Sequence, residues 1–224
     1  MRIAVVGSYG TGMTMRAERI PGRGETLGDA TFSLGPGGKG SNQAIGAARL
    51  GADVSLLTAI GDDVLGAQGR ELWRREGVDA SAVATVDAPT MTGVILVEQD
   101  GENRIIVAPG ALDLLSPAHV AGFAEVIADA DLLMVCNEIP ADTVAAALRT
   151  AAEHGTPTLF NPAPARDLPQ DVAALVDVLT PNLTEAQVLT GLDTTDPGAL
   201  QVEEPVPVGG ARLGVHQPPH LAGR

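Results

Sequence analysis

Apolar residues come in short blocks set between stretches of helical period. Residues 3–6, 53–60, 132–136, 158–160 and 176–180 are near-continuous apolar runs, the pattern of strands buried on both faces. Each after the first is followed by a turn and a helix-period segment, and the first by a turn and a stretch with no helical apolar face. The first such helix starts near Ser41 or Asn42 and runs to about Leu50, and the second runs from 61–66 to about Glu76. A third opens at Ser116-Pro117, Ser as N-cap and Pro at the first position, and reaches about Ala128. Further helices are predicted over 142–153, where Gly155 closes the element, near 171–175, and from 183 to about Thr190. Strand and helix alternating in this way predict a parallel sheet covered on both faces.

Two segments break the pattern. Residues 14–34 alternate polar and apolar through Ala30, Phe32 and Leu34, which predicts short, half-exposed antiparallel strands. Residues 92–98 and 104–108 are β-rich runs around Asp100-Gly101, the signal for a hairpin. Together they predict a small second sheet beside the main one.

The chain has 224 residues, 45% of them hydrophobic, enough for a sizeable core in one domain. A net charge of -14 argues against nucleic acid or an anionic membrane as partner, and only 2% aromatic residues leave few platforms for stacking bases. The single Cys136 cannot form an internal disulfide, so a cytoplasmic home is expected. The apolar run before Gly7 is too short for a signal peptide or a membrane span.

Candidate chemistry concentrates in Gly35-Pro36-Gly37-Gly38-Lys39-Gly40-Ser41-Asn42, where glycines admit a ligand to the backbone and a helix N-terminus points back at it. A phosphate loop needs Lys directly before Ser or Thr; here Gly40 intervenes, so hydroxyls are the expected ligand. Gly7, Gly10 and Gly12, expected as the turn after the first strand, are spaced Gly-x-x-Gly-x-Gly rather than Gly-x-Gly-x-x-Gly, against a nicotinamide or flavin site. Asp62-Asp63 is either a metal pair or, the better reading, a helix cap. Gly10, Asp62, Glu138, Asn161 and Asn182 all follow strands, at the carboxyl edge where parallel sheets bind ligands.

With these residues in view the chain resembles the ribokinase/PfkB family of carbohydrate kinases. The resemblance is carried by Gly37-Gly38-Lys39-Gly40-Ser41-Asn42-Gln43-Ala44 with Gly51 and Gly61, by Gly24-Glu25-Thr26, by Asn161-Pro162-Ala163-Pro164-Ala165-Arg166, and by Thr180-Pro181-Asn182 with Thr184-Glu185-Ala186. It covers about residues 1–195. It implies an α/β, doubly wound, mostly parallel sheet with a small β lid, the lid drawn from about 12–34 and 90–108, and the kinase domain over 1–197. It further implies ATP-dependent phosphorylation of a primary hydroxyl of a small sugar. Gly38, Lys39, Asn42 and Glu138 are then the sugar-binding residues. Asn182 and Glu185 are the nucleotide side, Glu185 reaching Mg²⁺ through water; an N-capping box is the plain alternative for that pair. A homodimer through the lid is also implied.

Two departures qualify this. Gly12 stands where ribokinases usually carry an Asp that grips two sugar hydroxyls, which widens the candidates to other sugars, including hexoses, and to nucleosides. After Asp196-Pro197 the family continues to a Gly-Ala-Gly-Asp motif holding the catalytic base and anion hole, and 198–224 has no such motif. The expected sheet therefore lacks its C-terminal part, its edge and helix faces left open to self-association. The monovalent-cation site of the family falls in the same missing segment. The tail is expected to be without structure, either an out-of-frame product or a native disordered end. No catalytic residue is assigned, and the expectation is a kinase by descent that is inactive or nearly so, or a non-catalytic sugar-binding fragment.

Overall fold

The computed structural model describes residues 1–166, 168–190 and 212–213. The chain opens with β1 (Arg2–Val6), whose alternate side chains enter two separate cores. Ala4 and Val6 pack with Phe123, Ile127, Leu133, Val144 and Leu148 on one face; Ile3 and Val5 pack with Ala44, Leu56 and Trp73 on the other. This two-sided burial is why the strand reads as an unbroken apolar run.

The main sheet is parallel throughout. β1 lies between β4 (Asp53–Leu57) and β10 (Leu132–Cys136); β6 (Val78–Asp79) extends one side, and β11 (Thr158–Asn161), β12 (Val178–Leu179) and β13 (Arg212–Leu213) extend the other. From β1 the chain first builds one wing and later returns to build the other, so the gap between the carboxyl ends of β1 and β10 is a topological switch point. Helices α1 (Lys39–Arg49) and α2 (Val64–Glu76) cover one face; α3 (Pro117–Gly122), α4 (Ala124–Asp129) and α5 (Ala141–His154) cover the other. Short α6 (Gln170–Ala173) and α7 (Leu183–Thr190) follow.

A second sheet, the lid, runs in the order β3 (Thr31–Gly37), β2 (Gly10–Arg16), β8 (Thr92–Val97), β9 (Asn103–Ala108). The hairpin around Asp100-Gly101 is formed, with Gly101 at φ 91°, and β2 pairs antiparallel to β3 but parallel to β8.

Several expected boundaries move. Gly10 and Gly12 are strand residues of β2, not a turn, because their backbones pair with Gly37, Gly35 and Gly93, which no side-chain pattern announces. Residues 53–60 do not form one strand: Gly7 N–H donates to Leu57 O, then Ala84 N–H donates to Thr58 O, and the chain passes into β5 (Ala59–Gly61) alongside β7 (Ala84–Val86). The helix expected over 116–128 breaks at Phe123, which leaves helical geometry after Gly122 to bury its ring. In the stretch expected to be without structure, Arg212–Leu213 pairs with β12; the rest of 198–224 lies outside the described residues.

Helix α1 crosses β1 at backbone contact. A Cβ on Gly40 would fall 2.6 Å from the Gly7 carbonyl carbon, and one on Gly7 would fall 2.8 Å from Gly40 Cα. A Gly40→Ala change must therefore push helix from strand, with an expected loss of about 1–3 kcal/mol. Gly46→Ala, in the same helix with nothing within 4 Å of the added methyl, is expected to gain about 0.5–1 kcal/mol. Urea unfolding of the two variants beside the parent checks both signs.

Candidate functional site

The site is built where β1, β10 and α1 meet. Helix α1 starts at Lys39, two residues before the predicted position, because its N-cap is Gly38, which has no side chain to signal a cap. Gly38 takes φ 91° and a Cβ there would stand 2.6 Å from Tyr9 Cα, so glycine is required on both counts. The early start brings the Lys39 N–H to Glu138. Glu138 Oε2 accepts from Lys39 N at 3.0 Å and from Ser8 Oγ at 2.5 Å, and Oε1 accepts from Lys39 Nζ at 2.5 Å. Asn42 lies three residues after Lys39, on the same helical face, exposed.

Ser8 is the functional residue that the sequence reading missed. It is fully buried, its carbonyl accepts from Ser41 N at 2.8 Å, and its N–H donates to Cys136 Sγ at 3.4 Å. Its one available signal was its place two residues after β1, at the same carboxyl edge as Glu138. Burial pushes the Cys136 thiol up, which makes it an inert prop under Ser8. Burial alone would raise the Glu138 carboxyl too. Hydrogen bonds from Lys39 and Ser8, with the Lys39 charge, more than offset it and hold the group below its ordinary value. The result is an ionised carboxylate and an ammonium side by side, partly open to solvent, able to accept from one hydroxyl and donate to another.

The other expected residues divide. Asp63 is the N-cap of α2, accepting from Gly66 N at 2.8 Å, while Asp62 is exposed. Among the described residues no group of three or more His, Cys, Asp or Glu side chains is arranged to hold a metal. Asn161 is turned to Thr180, its Nδ2 donating to Thr180 O at 2.9 Å. Asn182 and Glu185 form the capping box: Glu185 N donates to Asn182 Oδ1 at 2.8 Å, while Glu185 accepts from Asn182 N and Nδ2 at 2.8 and 2.9 Å. Glu185 is 9% exposed, and each of its oxygens keeps a lone pair beyond the capping bonds. The donor set suits an ion that retains its waters.

Both lid strands adjoining the site grow directly out of it, β2 one residue after Tyr9 and β3 ending at the residue before Gly38. Cross-strand partners share a face of a sheet, so Gly35, Gly12 and Gly93 form one row of bare backbone. The opposite face, with Thr11 and Pro36, looks across a cavity of about 560 Å³ to α2.

The match to known proteins follows this geometry. The family model of the pfkB family carbohydrate kinases matches residues 2–210. The chain belongs to that family. It is 37% identical over 196 residues to a ribokinase of Haemophilus influenzae, covering 87% of this chain and 64% of that protein. It is 37% identical over 204 residues to a deoxyribokinase of Salmonella typhi, covering 88% and 65%. The structure of an Arabidopsis thaliana ribokinase complexed with ribose and ATP superposes with a TM-score of 0.80 at 29% identity, covering 88% of this chain and 64% of that one. The chain thus spans less than two thirds of the length of these relatives.

A glutamate with a depressed pKa stabilises the fold above its unfolded value, near 4.3, and loses that contribution as the pH falls through the lower folded value. The difference in unfolding free energy between the parent and Glu138→Gln is expected to be flat from pH 7 to 5 and to shrink only below the ordinary glutamate range. Chemical denaturation across that range measures it; a difference already shrinking above pH 5 would contradict the assignment.

Proposed function

We propose that the chain is the sugar-binding part of an ATP-dependent carbohydrate kinase, a transferase that moves the γ-phosphoryl group to a primary hydroxyl of a small sugar. The observation that carries this reading is the Glu138 carboxylate, paired with Lys39 and Ser8 at the switch point of a PfkB-family chain. Glu138 accepts from a sugar hydroxyl, Lys39 and Asn42 donate to others, and Gly38 lets the sugar approach the backbone. The lid sheet covers the sugar and keeps water from the phosphoryl group. Ribose and deoxyribose enter through the relatives' names; the row of glycines at 35, 12 and 93 offers no side-chain acceptor, which keeps hexoses and nucleosides among the candidates.

Asn182 and Glu185 face the phosphates in this reading, Glu185 accepting from a water on Mg²⁺. When bound, Mg²⁺ neutralises phosphate charge. The base expected in a Gly-Ala-Gly-Asp motif has no counterpart in the 224 residues. The chain alone therefore binds sugar with little or no turnover, and a non-catalytic sugar-binding protein is the second reading. The monovalent-cation site of the family is assigned no residue here. The net charge of -14 leaves nucleic acid and anionic membranes unassigned as partners, and the single Cys136 supports a cytoplasmic home; among the described residues no helix is long and apolar enough to cross a membrane. A second copy of this chain is the assigned protein partner. Leu34, Val94 and Ile106, 47%, 37% and 71% exposed, stand with Met13 in one cross-strand row on one lid face, an exposed apolar row that a second copy would cover.

Calorimetry against ribose, deoxyribose, hexoses and nucleosides tests the site: one of them is expected to bind and Glu138→Ala to abolish it, whereas silence across the panel would overturn the reading. In a coupled assay with Mg²⁺ and ATP, turnover above about 1 s⁻¹, within the usual kinase range, would refute inactivity. Light scattering is expected to find a dimer that Ile106→Glu splits; a monomeric parent would count against the lid contact.

A further inference from the structure

Asp63 makes more bonds than a helix cap needs. Its Oδ1 accepts from Gly66 N at 2.8 Å, which is the cap, and also from Thr90 Oγ1 at 2.7 Å; its Oδ2 accepts from Thr90 N at 2.8 Å. Thr90 is 2% exposed and its hydroxyl takes a further bond from Gly61 N at 3.0 Å. Burial raises the Asp63 carboxyl, and the hydrogen bonds from Thr90 and Gly66 outweigh it, so the group stays ionised and the bonds are charge-assisted.

Thr90 stands two residues before β8, and its neighbours collect the other lid roots. Met91 O accepts from Thr11 N at 2.9 Å, at the start of β2, and Pro89 O accepts from Ala111 N at 2.8 Å, just past β9. Backbone approaches around these bonds are as close as glycine permits. A Cβ on Gly110 would fall 2.1 Å from Pro89 O, one on Gly61 2.3 Å from Ala88 O, and one on Gly10 2.7 Å from Met91 O. Residues 88–91 are thus a knot through which β2, β8 and β9 enter or leave the lid, and Asp63 ties the knot to α2.

We propose that Asp63 and Thr90 are the pivot of the lid, a positioning pair that holds three strand roots at a fixed height over the crevice and tunes sugar affinity without touching sugar. A lid can swing as one body only about roots that do not slip, and a half-buried carboxylate with three short bonds, two of them to the buried Thr90, provides such a point. The effect on sugar rests on the sugar-site reading above; the effect on the lid does not.

Hydrogen exchange of the whole chain, read strand by strand, is the test. Thr90→Val is expected to raise exchange in β2, β8 and β9 about tenfold, the scale of one lost charge-assisted bond, while β1 and β10 keep their rates. Thr90→Ser, which retains the hydroxyl, is expected to restore the parent pattern. Any sugar bound by the parent should bind Thr90→Val more weakly by a similar factor. If Thr90→Val does not fold, Asp63→Asn, of equal size, carries the same readout. Exchange that is unchanged, or that rises equally in lid and main sheet, would overturn the pivot. A parent that binds no sugar would refute the sugar-site reading, and the lid-selective exchange would still decide on the pivot.

Discussion

One carboxylate ties the molecule together. Glu138 follows β10, yet its three hydrogen bonds run to Ser8, two residues after β1, and to both the backbone and side chain at the start of α1. β1 and β10 already pair through the sheet's backbone ladder, whereas α1 lies on them mainly by packing, which has little direction, with Ser41 N–H donating to Ser8 O at 2.8 Å. A charged group with fixed acceptor lobes sets the angle at which the helix N-terminus meets the sheet. It does so at the point where strand order reverses and a crevice is unavoidable. In the reading proposed for this site, folding and ligand binding draw on the same oxygens: a sugar hydroxyl would share acceptors that already orient the helix.

The helix tolerates this arrangement because the backbone has made room. Gly7 and Gly40 cross at contact, and Gly38 takes a conformation closed to side chains. Trp73 completes the fit from the other side, donating to Ser41 Oγ at 2.8 Å while its ring meets Tyr9 edge-on at 4.8 Å between centroids. Ser41, expected near the first turn of the helix, offers its hydroxyl as the acceptor for a buried indole.

What could be read from the sequence and what could not divide along physical lines. Continuous apolar runs predict β10 to the residue, and Ser116-Pro117 and Gly155 mark helix ends because those residues act locally. Glu138 and Lys39 were legible as separate candidates. Their contact with Ser8 was not, since Ser8 and Glu138 lie 130 residues apart and a buried serine leaves no periodic trace. The start of β2 escaped because its pairing there rests on backbone, with Gly10 and Gly12 facing glycines, while its later part falls in the segment expected to form lid strands. Asp63 was read as a cap, correctly, but the partner 27 residues on that gives it a second task is visible only in the fold.

The bare row at Gly35, Gly12 and Gly93 has a consequence for how such a site diversifies. The row is not uniformly vacant: a methyl added at Gly35 meets nothing within 4 Å, whereas one at Gly12 would stand 3.1 Å from Ile95 Cδ1. A methyl at Gly93 would come no closer than 4.0 Å to any neighbour, so new side chains can enter at either end of the row without disturbing the lid, while the same change at its centre needs the tip of the Ile95 side chain to give way. Variation at the two ends is sterically cheap and in the middle more constrained, so descendants of this chain would alter their ligand preference first at positions 35 and 93, by single substitutions that leave the fold as it is.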